Sequence, residues 1–202
     1  DYLGLADQLR RALADYTVAI RLHPNNAWEY CARGAAKYRL LDYGGAIADY
    51  TAAISLDTNN YWAYCNRGEA RRKLGHHANA TTDFDDAIRL RPNYARSYHN
   101  RGIAKYNLKD YKGAIADYTE AIRLAPKDAA PYAARGVAKS GLGDYKGAIT
   151  DYDEAIRLDP KNDVAYCNRG YAKDELGDYE GAITDYDDAI RLDPNNAVAY
   201  LN

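Results

Sequence analysis

Two residue types of opposite charge recur in this chain at one fixed interval, and a third, neutral type follows the same register. Arg33, Arg67, Arg101, Arg135 and Arg169 stand 34 residues apart, as do Asp49, Asp83, Asp117, Asp151 and Asp185, preceded by Asp15. Charges repeated so regularly in opposite signs point to a ladder of ion pairs within or between repeats rather than to ligand contacts. The third type is asparagine: Asn66, Asn100, Asn168 and Asn202 share a register that Ala32 and Ala134 interrupt. An amide side chain donates and accepts at once, so it can pair with the main chain of an extended segment whatever that segment's sequence. The alternative is a polar residue merely tolerated at that place.

The residue types that serve catalysis or metal binding lack the spacing for it. His23, His76, His77 and His99 fall at unrelated registers, and the adjacent His76 and His77 would point in different directions on a helix. No Cys and His pair has ligand spacing, and the glycines recur singly, without a phosphate-cradling loop. Hence no catalytic residue, no cofactor and no metal is expected, and the chain is read as no enzyme. Cys31, Cys65 and Cys167 share one register. Packed helices lie about 10 Å apart, whereas a disulfide needs Cα atoms within about 7 Å, so three free thiols are expected. Free thiols fit a reducing compartment such as the cytoplasm better than an oxidising one.

All of these registers belong to one larger period. The segments 27–60, 61–94, 95–128, 129–162 and 163–196 align without a gap, residues 1–26 form the rear of a preceding unit, and 197–202 open the next. Such self-similarity predicts a solenoid, here a single array over 1–202, in which each unit contacts mainly its neighbours. Position 8 of the unit is always glycine, positions 10, 20 and 27 alanine, 14 and 30 leucine, 28 isoleucine. Position 4 is tyrosine from Tyr30 to Tyr200, position 24 is aromatic, and position 32 is proline except at Thr58. These are packing positions.

Positions 4, 8, 10 and 14 share one side of a first helix, and 20, 24, 27 and 28 one side of a second. Gly143-Asp144 and Gly177-Asp178 supply between them a residue tolerant of positive φ and then an N-cap carboxylate. The proline, followed within two residues by Asn or Asp, stops the second helix and helps start the next. The fold class expected is therefore all-α: an α-solenoid of antiparallel helix pairs.

The set Tyr166, Gly170, Ala182, Tyr186, Ala189 and Pro194, repeated at the same offsets in the other units, resembles the tetratricopeptide repeat. The resemblance covers essentially the whole chain and implies a right-handed superhelix. Three features depart from the family pattern: arginine for leucine at position 7, lysine or arginine for tyrosine at position 11 (Lys173, Arg71), and Thr58 for proline. The first two bear on how the first helix packs.

Positions 2, 5, 6, 9, 12 and 13 vary from unit to unit and share one face of the first helix. In tetratricopeptide proteins the first helices line a concave groove, and the resemblance implies that these positions contact a bound peptide. Trp28, Trp62 and Tyr38 offer aromatic surface of the kind enriched in binding hot spots; the alternative is that the tryptophans pack on the adjoining helix. Arg39, Arg72, Lys73, Arg96 and His99 form a basic stretch, joined on the same face by Glu69 and Tyr106, whereas Tyr171, Asp174 and Glu175 lie on an acidic one. Repeat 95–128 carries seven basic and four acidic residues, net +3, and repeat 163–196 three and nine, net −6. A polarised groove would orient an extended ligand. On this resemblance Asn66 and Asn100 would hold a partner's main chain. The family's clamp for carboxylate tails fits poorly, because position 5 holds Cys, His or Ala where that clamp uses lysine.

Three function classes follow: a protein-interaction module, an assembly module stacking end to end through uncapped terminal repeats, and a regulatory region of a larger enzyme. Net charge −2 with acidic residues in every repeat disfavours nucleic acid. No apolar run approaches the roughly 20 residues of a membrane span, and no signal peptide is present. The chain opens at Asp1 inside a helical pattern and has no Met, which reads as part of a longer protein. On the outer faces, Asp153 with Arg157 and Asp187 with Arg191 have i, i+4 spacing, worth a few tenths of a kcal/mol each.

Overall fold

The computed structural model describes residues 2–194, and over them the chain is all helix. Eleven helices follow in order: α1 (Tyr2–Leu22), α2 (Ala27–Arg39), α3 (Tyr43–Leu56), α4 (Tyr61–Lys73), α5 (His77–Leu90), α6 (Ala95–Asn107), α7 (Tyr111–Leu124), α8 (Ala129–Ser140), α9 (Tyr145–Leu158), α10 (Asp163–Asp174) and α11 (Tyr179–Leu192). The expected all-α repeat of helix pairs is what the described residues form. Asn202 and the segment 197–202 lie outside them.

The boundaries follow from local chemistry. Asp42, Asp110, Asp144 and Asp178 each accept a hydrogen bond from the backbone N–H three residues on, capping the second helix of their repeats. In repeat 61–94 the corresponding residue is His76, which makes no such bond. Just before each cap the backbone turns left-handed: Gly75, Gly143 and Gly177 do so at φ 77–82°, while Leu41 and Lys109 do so at φ 63°. A side chain there costs about 1–2 kcal/mol that glycine avoids.

The helices gather into two compact units, 1–104 and 105–202. In the first, α2 packs on α3 and α4 on α5, with α1 on α2 and α3 on α4. Its core gathers Cys31, Ala46, Tyr50, Ala53, Ile54, Ala63 and Ala70, then Cys65, Ala80, Phe84, Ala87 and Ala104. In the second, α8 packs on α9 and α10 on α11, with α7 on α8 and α9 on α10, around Ala148, Tyr152 and Ala172 and around Cys167, Ala182, Tyr186 and Ala189. The position 8 glycine makes the helix pair possible. A Cβ on Gly136 would meet the Tyr152 ring at 2.7 Å, and one on Gly68 would meet Phe84 at 2.9 Å.

Candidate functional site

Beneath the varied face runs a buried set of charges. Arg33 grips Asp49 through two nitrogens at 2.6 and 2.9 Å, and Arg135 holds Asp151 and Arg169 holds Asp185 in the same forked way. Arg67 does so with Asp83. Each of these aspartates is nearly inaccessible to solvent and takes a second cation from position 11: Lys37 on Asp49, Arg71 on Asp83, Lys139 on Asp151 and Lys173 on Asp185, all at 2.8–2.9 Å. Lys105 meets Asp117 likewise, at 2.8 Å. The position 11 cation, a departure from the family pattern in the sequence, is thus half of a paired clamp on a buried carboxylate, which compensates desolvation that one partner leaves costly.

The position 7 arginine also reaches backwards. A further nitrogen meets position 25 of the preceding repeat: Thr51 from Arg67, Asp85 from Arg101, Thr119 from Arg135, Asp153 from Arg169. The guanidinium lies 5.4–5.9 Å from the ring of the tyrosine three residues before it. Here the structure corrects a sequence expectation. Asp153 turns to Arg169 instead of Arg157, and Arg157 takes Glu154 at i−3; Arg191 takes Asp188 in the same way. Position 25 is exposed yet stands within reach of the next repeat's position 7 arginine, which draws Asp153 away from Arg157.

In the first unit the varied face holds two distinct places. A hollow of about 480 Å³ opens between Trp28 and Trp62, with Ala27, Cys31, Ala32, Asp57 and Asn60 around it. Trp28 stands 65% exposed, touching Tyr16 edge-on at 6.0 Å, while half-buried Trp62 meets Tyr50 edge-on at 6.1 Å. The second place centres on Glu69, whose side chain is 14% exposed. Tyr38 donates to it at 2.9 Å, Asn100 at 3.4 Å, and Arg96 forms an ion pair with it. Burial first, then Glu69, pushes the Tyr38 phenol far above its ordinary value. Asn66 donates to its own helix at the Trp62 carbonyl, 2.7 Å away. Both amides expected to meet a partner are therefore already engaged within the molecule. Arg39 and Lys73 are exposed, and among the described residues neither they nor Arg72 forms an ion pair; the Nε of Arg72 is buried without a hydrogen-bond partner. His99 lies half-buried on α6.

In the second unit a smaller hollow of about 250 Å³ is lined by Tyr106, Val137, Ser140, Gly141, Tyr152, Asn168 and Tyr171. Tyr106 leans on Tyr111 at 5.2 Å and Tyr171 on Tyr145 at 6.2 Å. Burial raises the Tyr152 phenol to about 12, against a hydrogen bond with Ser140. Asp174 is exposed. The three cysteines are buried free thiols, and burial lifts Cys31 and Cys65 to about 11. Among the described residues no cluster of His, Cys, Asp and Glu could hold a metal ion, and no helix is long and apolar enough to cross a membrane.

A fold of paired helices with a packed, charge-clamped interior and a variable face is a helical repeat scaffold. Family models described as "TPR repeat" match residues 42–75 and 141–174, and models described as "Tetratricopeptide repeat" match 63–94, 95–128 and 164–196. The chain belongs to the tetratricopeptide repeat (TPR) family, whose repeats serve generally as protein-interaction scaffolds without enzyme chemistry. Solved structures agree on the fold. YrrB, described as a TPR protein with an unusual peptide-binding site, is 22% identical, with 92% of this chain and 96% of that one covered, at TM-score 0.75. MamA 41-end from Desulfovibrio magneticus RS-1 is 23% identical, covering 85% and 97%, at 0.78. The APC/C hetero-tetramer Cut9-Hcn1 is 19% identical, covering 96% and 38%, at 0.80. No curated protein sequence matches the chain.

Proposed function

We propose that the chain, taken over 1–202 as one repeat array, binds an extended protein segment along the varied face of its first helices. The observation that carries this reading is Trp28, a large apolar side chain left 65% exposed at the mouth of a hollow of about 480 Å³. Isolated exposed hydrophobics need no explanation, but an aromatic residue beside an open concavity is the usual anatomy of a binding anchor. Asn168 and Tyr171 at the hollow of the second unit would extend the contact there, with Asp174 favouring a basic stretch of ligand. The likeness to YrrB, a protein with a peptide-binding site, supports the same direction. Trp28→Ala should weaken capture of a verified partner about tenfold or more, as hot-spot truncations do. Unchanged capture by that variant, measured by calorimetry, would overturn the reading.

A second reading rests on α11. There Tyr179 is 64% and Ile183 60% exposed, whereas the matching Tyr43, Ile47, Tyr145 and Ile149 are half-buried. This exposed apolar face of α11 would let a second copy of the chain pack on it. Scattering should then show a mass that rises with concentration and a return to monomer in Ile183→Glu.

A further inference from the structure

The two places on the first unit's face lie on one helix at a spacing that specifies a ligand. Trp62 lines the hollow and Glu69 follows it seven residues later on α4, about two helical turns or roughly 10 Å on. An extended chain advances about 3.3 Å per residue, so roughly three residues of ligand span the gap. At the far end, the surroundings of Glu69 are those a carboxylate ligand would require. A tyrosine hydroxyl, an asparagine amide and the Arg96 guanidinium converge on it. Arg72 lies near enough to influence the Tyr38 phenol and keeps an unbonded, buried Nε. Lys73, four residues beyond Glu69 on α4, adds exposed positive charge without an ion-pair partner among the described residues. The cations here exceed the one carboxylate that the face supplies.

Resting on the groove reading above, the geometry points to Glu69 as an internal stand-in for a ligand carboxylate. The face takes an extended segment bearing a bulky apolar residue and, about three residues away, an Asp or Glu. The apolar side chain fills the hollow between Trp28 and Trp62. The acid displaces Glu69 from Arg96 and Asn100 and is met as well by Arg72, whose Nε is otherwise unbonded. Polarity is fixed as well, because Asp57 on the rim of the hollow repels an acid placed at the other end. Glu69 therefore acts as an intramolecular competitor, which lowers affinity for every acidic segment and raises the demand for the apolar anchor.

Trp28 and Trp62 are the chain's only tryptophans, so their fluorescence reports the hollow directly. Capped peptides carrying Phe and, three residues on, either Glu or Gln serve as probes, with an Ala-for-Phe peptide as the anchor control. The wild-type chain should bind the Glu peptide about tenfold more tightly than the Gln peptide, with the preference fading at high salt. Glu69→Gln should tighten the Glu peptide about fivefold and leave the Gln peptide unchanged, and Arg72→Gln should reduce the preference for Glu. Equal affinity for Glu and Gln peptides in wild type and both variants, with a tryptophan response to the Phe peptides retained, overturns this inference and leaves the groove reading standing. No tryptophan response to any Phe peptide overturns both. Should Glu69→Gln fail to fold by circular dichroism, Arg72→Gln alone decides: a Glu preference undiminished in that variant overturns the inference.

Discussion

The units 1–104 and 105–202 share a buried chemistry and differ on their faces. In both, an aspartate from the second helix is held between the position 7 arginine and the position 11 cation, with nearly the same distances at Asp49 and Asp151. On the first unit's face the polar groups are tied together at Glu69 and the anchor is tryptophan. On the second unit's face Asn168 borders a small hollow, Val164 takes the place of Trp62, and exposed Asp174 sets the charge. The interior follows the repeat rule and the face escapes it, so stability and recognition are assigned to separate sets of positions. Mutations can separate them.

The largest effect tests the common interior. Asp83→Ala and Asp151→Ala each leave two half-buried cations without their buried carboxylate and should each cost about 3–5 kcal/mol in urea unfolding. Markedly unequal losses would break the likeness between the units. Next is the glycine contact. Gly136→Ala forces a methyl to 2.7 Å from Tyr152, whereas Gly34→Ala brings one to 3.0 Å from Tyr50. Overpacking of about 1–3 kcal/mol, partly offset by alanine's better helix propensity, should therefore be larger at Gly136 than at Gly34. Smaller, and of opposite sign, is the relief of left-handed backbone. Leu41→Gly and Lys109→Gly, one in each unit, should each raise the unfolding midpoint by the equivalent of about 0.5–1 kcal/mol. A separate effect is alkaline. The folded Cys31 and Cys65 thiols keep their protons to about pH 11 while unfolded thiols release theirs near pH 9. Stability from these groups is thus full below pH 9 and is lost as pH climbs through 11, a decline that Cys31→Ala with Cys65→Ala should blunt.

Much of the fold was legible because packing repeats when the chain repeats. The glycines facing Tyr50, Phe84, Tyr152 and Tyr186, and the caps at Asp144 and Asp178, could be placed from register alone. The second cation could not, since Lys173 and Arg71 looked like departures from a tyrosine. The available signal was a positive charge four residues after every position 7 arginine, on the same helix side. The left-handed turns at Leu41 and Lys109 were readable only by alignment with Gly75, Gly143 and Gly177. Least legible was Glu69. Its partners Tyr38 and Asn100 each lie 31 residues away and Arg96 lies 27 away, so comparing like positions across repeats separates groups that the fold brings together.

The reach of each position 7 arginine into the repeat before it has a mechanical consequence. Arg169, for example, is bound at once to Asp153 and Asp185, so peeling away one repeat strips a charged partner from its neighbour. Fraying is penalised at the seam itself, and within each unit adjoining repeats should yield together, under force or heat, as coupled pairs instead of one by one.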